Sequence, residues 1–177
     1  SAASGVAYLG MGREPRTARD YFIQGRPEGQ TGERPQAELH AITADFFKTM
    51  EIPVRAGRDF ADTDMPDRPP VAIVNEALAR AAFPGASPLG ARVRTNSRSP
   101  WMEIVGVVAD TRWQDPSQPP PPVLFVPSTQ DWGNSLSILA RTSLDEKSLA
   151  TTLRALLHDA NPTVPVRFET MDELFAD

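Results

Sequence analysis

Two histidines, His40 and His158, and no cysteine leave this 177-residue chain few groups for metal or nucleophilic chemistry. A zinc site draws on thiolates or imidazoles at close spacing, such as two histidines four apart on one helix face. His40 and His158 lie in separate elements without that spacing. His158 falls in the last turn of an expected helix, where a cation complements the dipole. Without cysteine there is no disulfide framework, no thiolate zinc site and no Cys nucleophile. A serine nucleophile elbow has the form G-x-S-x-G, whereas the chain offers Gly85-Ala-Ser-Pro-Leu-Gly90. The same segment imitates the two glycines of a phosphate loop. Ala91 and Arg92, however, stand where the lysine and the Ser/Thr of that loop must be, so the segment reads as a helix-terminating turn. Asp59, Asp62, Asp64 and Asp67 could supply oxygen ligands to calcium, but the EF-hand spacing, its Gly and its closing Glu are missing; a solvated loop is expected. Trp101, Trp113 and Trp132 could form an aromatic cage, and at strand ends they read as lids on the core. No catalytic, cofactor-binding or metal-binding residue is therefore assigned, and a ligand site is left unknown.

The elements that would position any site follow from pattern and punctuation. Candidate strands at Tyr21 to Gln24 and Ala37 to Ile42 flank the polar stretch Gly25 to Gln36 and read as a hairpin with a long loop. Phe46, Phe47 and Met50 then form one greasy face of a short helix behind possible caps at Thr43 and Asp45. Pro53 and Gly57 punctuate the chain before the acidic loop. Val71 to Val74 is an apolar strand, and Asn75 can cap a helix from Glu76 to Phe83 that Pro84-Gly85 ends. A short strand at Ala91 to Arg94 precedes Trp101 to Asp110, whose core Ile104-Val-Gly-Val-Val108 is apolar without alternation and so predicts a central strand buried on both faces.

Pro116 to Pro122 is a proline-rich crossing, after which Val123 to Val126 is expected at an edge or terminal position, since proline cannot donate to a ladder. Leu136 to Arg141 reads as a strand. Ser143-Leu-Asp-Glu146 is a capping box ahead of a helix whose Leu149, Leu153, Leu156 and Leu157 make one apolar stripe. Asn161-Pro162 stops it, Val164 to Phe168 returns as a strand, and Thr170-Met-Asp-Glu173 opens a last helix. Lobe boundaries are expected near residues 60 and 134.

Composition narrows the function class. The net charge of −5 and a pI near 5.1 oppose the basic footprint of nucleic-acid binding. The longest wholly apolar run, Ile104 to Ala109, is far short of the ~20 residues a membrane-spanning helix needs. Ser1 is followed by neither a basic region nor a long apolar one, so no signal peptide is expected.

One ordered set of strings goes further. Ile42-Thr-Ala-Asp-Phe-Phe-Lys-Thr-Met-Glu-Ile-Pro53, Arg55-Ala-Gly-Arg-Asp-Phe60 and Val71-Ala-Ile-Val-Asn-Glu-Ala-Leu-Ala-Arg-Ala-Ala-Phe-Pro84 are followed by Pro88-Leu-Gly90, Glu103-Ile-Val-Gly-Val-Val108 and Thr170-Met-Asp-Glu-Leu174. In order and spacing this set resembles the MacB-like periplasmic core domain of ABC-transporter permeases of the MacB/FtsX-like class. The resemblance implies an α+β fold with two lobes: a porter-like βαβ lobe from residues 1–60 and 135–177, and an inserted strand-rich lobe over 61–134. It implies an address on the periplasmic side of the bacterial inner membrane, flanking transmembrane helices, a permease dimer partner, a cytoplasmic ABC ATPase acting indirectly, and a periplasmic protein or lipoprotein partner. It brings no catalytic residue and no cofactor. The function it implies is coupling of ATP-driven permease motion to a substrate or periplasmic partner. A passive small-molecule or peptide-binding module with an inter-lobe cleft is the alternative.

Overall fold

The computed structural model describes residues 5–9, 18–29, 32–111, 118–130, 137–141 and 146–160. Its strands are β1 (Gly5–Leu9), β2 (Ala18–Asp20), β3 (Phe22–Ile23), β4 (Gln36–Ile42), β5 (Val54–Gly57), β6 (Val71–Asn75), β7 (Arg92–Arg94), β8 (Met102–Val108), β9 (Val123–Pro127) and β10 (Ser137–Arg141). Its helices are α1 (Phe46–Thr49), α2 (Glu76–Ala82) and α3 (Glu146–Ala160). All ten strands join one sheet in the order β10-β1-β4-β9-β6-β8-β7-β3, with β2 beside β4 and β5 beside β8. The fold is mixed α/β with a sheet-dominated core, and strands from both sides of residue 60 share that sheet.

Alternate side chains along the central strands divide into two cores, as the two-residue period of a strand requires. Ile42, Val71, Ile73, Val108, Val123 and Phe125 meet Phe46 and Phe47 of α1 on one side. The Phe47 ring stands edge-on to Phe125 at 4.9 Å. Ala37, Ala72, Val74, Val93, Ile104 and Leu124 meet Leu78, Ala82 and Phe83 at α2 on the other.

β2 and β3 follow one another with only Tyr21 between. The first pairs with β4 through Ala18↔Glu38, and the second pairs with β7 through Phe22↔Arg94. The path β4-β9-β6-β8-β7 therefore returns to its start through residues 18–23, and the strands form a closed circuit. Tyr21 is buried inside it. Arg26, just past the closing strand, donates to the Ala82 carbonyl at the end of α2 and stacks over Phe83 at 5.0 Å. A cation at the end of a helix meets its exposed carbonyls, so this contact latches the circuit shut.

Several expectations change. Tyr21 to Gln24 does not pair with Ala37 to Ile42 as a hairpin; Phe22–Ile23 crosses to β7, and the pairing with β4 falls to Ala18–Asp20. Asp45 offers no side-chain cap because its φ −85°, ψ 2° lacks the extended geometry of an N-cap, and α1 spans one turn. Val123 to Val126 is central, paired to β4 on one side and β6 on the other. Its preceding prolines lack donors but keep carbonyls, and these accept from Asn75 Nδ2 (Pro121 O, 2.8 Å) and Glu38 N (Pro122 O, 2.9 Å). The acidic loop is not wholly solvated, since Asp64 is buried. The leucine stripe is only half covered: Leu149, Leu153 and Leu157 are half-buried and Leu156 is 60% exposed.

β5 has no counterpart in the pattern reading, because all four of its residues are exposed and only its backbone joins the sheet. Gly57 and Gly106 make that junction possible. A Cβ on Gly57 would lie 2.2 Å from Val105 O, and one on Gly106 would lie 2.3 Å from Arg58 O. Gly57 also has φ 73°, where a side chain is strained. The segments Ser143 to Glu146 (up to Asp145), Val164 to Phe168 and Thr170 to Leu174 fall outside the described residues.

Candidate functional site

In α/β sheets ligands favour the crevice beyond the carboxyl ends of parallel strands. Here β6 and β8 run parallel and both end at α2. The polar groups at that point bond to one another. Asn75, 2% exposed, accepts with Oδ1 from Leu78 N at 3.0 Å and from Val123 N at 2.9 Å, while Nδ2 donates to Pro121 O. One side chain thus caps α2 and anchors β9 after four consecutive prolines. Asp110 accepts from Ala77 N at 2.7 Å and pairs with Arg80 Nη2 at 2.7 Å. The hydrogen bond to Asp110 raises the Arg80 pKa above its ordinary value. Glu76 accepts from Asp110 N at 3.4 Å. The first amides of α2 are consumed by these side chains, so the crevice is a structural joint and offers no anion cradle.

A second joint ties the acidic loop to the sheet. Arg58 grips Asp64 with both terminal nitrogens, at 2.8 and 2.9 Å, and Ala61 N donates to the same carboxylate at 2.9 Å. Burial pushes the Asp64 carboxyl upward, but the Arg58 bond and the Ala61 amide together hold it below its usual range. Asp59 moves the other way, raised first by burial and further by Asp45. Thr129 donates to Asp64 O at 2.6 Å, and Gln130 Nε2 donates to Met65 O at 3.0 Å. The loop is therefore stitched to the end of β9. The signal for this clamp was opposite charges six residues apart across a turn, a spacing that only a folded loop makes meaningful.

Among the described residues, those singled out above form no common metal site. His40 is buried in β4, 3.2 Å from Glu38 and beside the Phe125 ring at 5.7 Å. His158 lies in α3. Among the described residues no group of His, Asp or Glu could hold a metal ion. α2 ends with Phe83 N bonded to Ala79 O at 2.8 Å, and the following turn Gly85 to Gly90 spends its Gly90 amide on Ile104 O of β8 at 2.9 Å, which leaves that amide unavailable to a phosphate. Trp101 is half-buried beneath Arg94, whose guanidinium lies 4.4 Å from the ring centroid; Trp113 and Trp132 fall outside the described residues. No helix among them is long and apolar enough to cross a membrane.

Residues 13–160 match the MacB-like periplasmic core domain. The chain belongs to that family. No curated protein matches its sequence. The fold of this MacB-like domain is similar to that of the periplasmic region of MacB from Actinobacillus actinomycetemcomitans, with a TM-score of 0.70 at 18% identity over 98% of this chain and 75% of that one. It is also similar to the extracellular domain of the noncanonic ABC-type transporter YknZ from Gram-positive bacteria, with a TM-score of 0.60 at 19% identity over 92% and 78%. A permease-protein domain from Porphyromonas gingivalis gives a TM-score of 0.55 at 16% identity over 90% and 63%. The MacB-like domain is thus an extracytoplasmic part of an ABC-type permease of the MacB/FtsX-like family, on the periplasmic side of the membrane. Such permeases carry transmembrane helices and act with an ATPase.

Proposed function

We propose that this domain is a coupling module, carrying ATP-driven motion of the permease to a substrate or periplasmic partner without chemistry of its own. The observation that carries the reading is the continuity of the sheet. β1 and β10, from opposite ends of the sequence, pair over five residues from Gly5↔Arg141 to Leu9↔Ser137. That pair joins β4 at Leu9↔Ile42, and from β4 the sheet runs on to β7 and β3 at the far edge. A displacement applied at β1 and β10 is passed strand to strand, because a hydrogen-bonded, close-packed sheet moves as a body.

The strand order also supports a division into two lobes. β10, β1 and β4 come from residues 1–60 and 135–177 and occupy one end; β9, β6, β8 and β7 come from 61–134 and follow in one block. The β4–β9 pairing is the seam between them, and two other segments of residues 1–60 cross it, 18–23 to reach β7 and β5 to pair with β8. In this reading the first lobe faces the membrane helices and the second meets the partner.

The test is made in the intact permease, reconstituted in lipid with its ATPase. A Gly/Ser insert just after Asp177 behaves as a flexible coil, whereas a helical spacer of equal length transmits displacement. The flexible insert is expected to abolish transport-linked output while ATP turnover continues, and the helical spacer to preserve output. Output that survives the flexible insert unchanged would refute mechanical coupling.

A further inference from the structure

The strand circuit is fastened unevenly. β4 pairs with β9 over five residues and β6 with β8 over five, and alternate side chains of all four strands enter the two cores. β3 and β7 close the circuit with two pairs, Phe22↔Arg94 and Ile23↔Val93. One further backbone bond holds the segment to β7, from Gln24 N to Arg92 O at 2.9 Å. Residues 24–29 are then all exposed.

The side-chain fastenings of this segment lie at the surface. Arg26 reaches the Ala82 carbonyl and the Phe83 ring from an exposed position, and the half-exposed Glu28 holds Arg94 Nη2 at 2.5 Å. The Phe22 ring lies under two guanidinium groups, Arg34 at 5.2 Å and Arg94 at 5.6 Å from its centroid. Exposed ion pairs and cation–π stacks are weak beside a buried apolar strand, because water competes for the charges and screens them. Both ends of the segment can turn. Before it, Tyr21 is buried in the core with α2 and its amide donates to Pro35 O at 3.0 Å, so it stays in place when Phe22 moves. After it, Gly32 has φ 97° and no atom within 4 Å of the point where a side chain would start, which leaves its dihedrals free to change.

We infer that residues 22–29 form a releasable strap, which detaches from β7 as one unit between Tyr21 and Gly32 while β4, β9, β6 and β8 stay paired. Detachment gives up the β3–β7 pairs, the Gln24 bond, the Arg26 latch and the Glu28–Arg94 pair together, and leaves Tyr21 in its core. It bares the outer edge of β7. It also removes one of three ties between residues 1–60 and the strands of 61–134, the others being β4–β9 and β5–β8. The far end of the sheet is loosened without being broken. This opening is a property of the domain itself and stands apart from the coupling reading.

Amide hydrogen exchange of the whole chain in increasing urea, followed by NMR, tests the strap. A unit that opens by itself gives its amides one protection and one shallow dependence on urea, because little surface is exposed. In register with the Gln24–Arg92 bond, the amides facing the joint are those of Phe22, Gln24 and Arg94. They are expected to share a protection at least about tenfold below that of Val123, whose amide is bonded to Asn75 at the centre of the sheet. A disulfide joining Ile23→Cys to Val93→Cys should raise the protection of all three together, and its reduction should reverse the gain. Val93 is buried, so if that pair of substitutions does not fold, Arg26→Gln at the exposed latch decides: it should lower the protection of all three and leave Val123 unchanged. Exchange of the three amides only with Val123, along the steep urea dependence of global unfolding, would overturn the strap. So would unrelated protections among them, or protections that neither the disulfide nor Arg26→Gln moves.

Discussion

Replacing Asn75 by alanine removes three hydrogen bonds made by one buried side chain. Loss of the cap on α2 costs about 1 kcal/mol. The Val123 amide and the Pro121 carbonyl are then left inside the protein without that partner, at about 1–3 kcal/mol each. One oxygen serves both Leu78 and Val123, so these contributions overlap, and about 3–5 kcal/mol is expected for Asn75→Ala. Urea unfolding monitored by circular dichroism measures it; in a domain of this size the melting temperature should fall by roughly 6–20 °C. Asn75→Asp separates the parts. It keeps both acceptor bonds but turns an oxygen, in place of the amide N–H, toward Pro121 O. Burial raises the folded-state pKa of the new carboxyl above its unfolded value of about 3.9. Protonation restores a donor to Pro121, so the stability this group contributes is present below the unfolded pKa and lost as pH rises through the folded one. The deficit of Asn75→Asp relative to the native chain should therefore be smaller near pH 4 than at pH 7. A loss below about 1 kcal/mol for Asn75→Ala, or a pH-independent deficit for Asn75→Asp, would refute this account of the joint.

Gly106→Ala would set a methyl against the Arg58 carbonyl and should cost at least about 1–3 kcal/mol, measured by the same unfolding curves, with β5 losing amide-exchange protection first. Phe47→Ala, in the packed aromatic core, should cost about 3–5 kcal/mol, whereas Leu153→Ala on the half-covered stripe of α3 should cost well below the 2–5 kcal/mol usual for a buried leucine. Asp64, held low by Arg58 and Ala61, contributes stability that is present above the unfolded aspartate pKa and lost as pH falls through its lowered folded value. Amide-exchange protection over residues 58–70, corrected for the intrinsic pH dependence of exchange, should accordingly fall in acid, and Asp64→Asn should abolish that fall. Chelation with EDTA should leave the melting temperature unchanged, a shift of several degrees being evidence for a metal.

What the sequence disclosed was the part written in short-range pattern. The apolar run of β8, the β6–Asn75–α2 unit and the helix Glu146–Ala160 were legible because side-chain burial, capping and periodicity act over a few residues. β5 was invisible because no side chain of Val54–Gly57 is buried; its place is set by backbone pairing and by two glycines whose clearance matters only once the strands meet. The central position of β9 was hidden for a related reason. Prolines bar a strand from a ladder only within it, and here the donors their carbonyls need come from Asn75 and Glu38, distant in sequence. The pairing of Phe22 with Arg94 was likewise beyond reading, since the two come together only when residues 18–23 cross from β4 to β7.

The pairing of β1 with β10 also sets an order of events during synthesis. β1 leaves the ribosome before its five-residue partner, Ser137–Arg141, which comes well over a hundred residues later. At 5–20 residues per second the wait is on the order of ten seconds. Throughout it the strand Gly-Val-Ala-Tyr-Leu has one edge without its native ladder, and an open apolar edge is a template for pairing with other chains. The pairing of β1 with β10 thus leaves residues 5–9 without one native neighbour until well over a hundred further residues have been made.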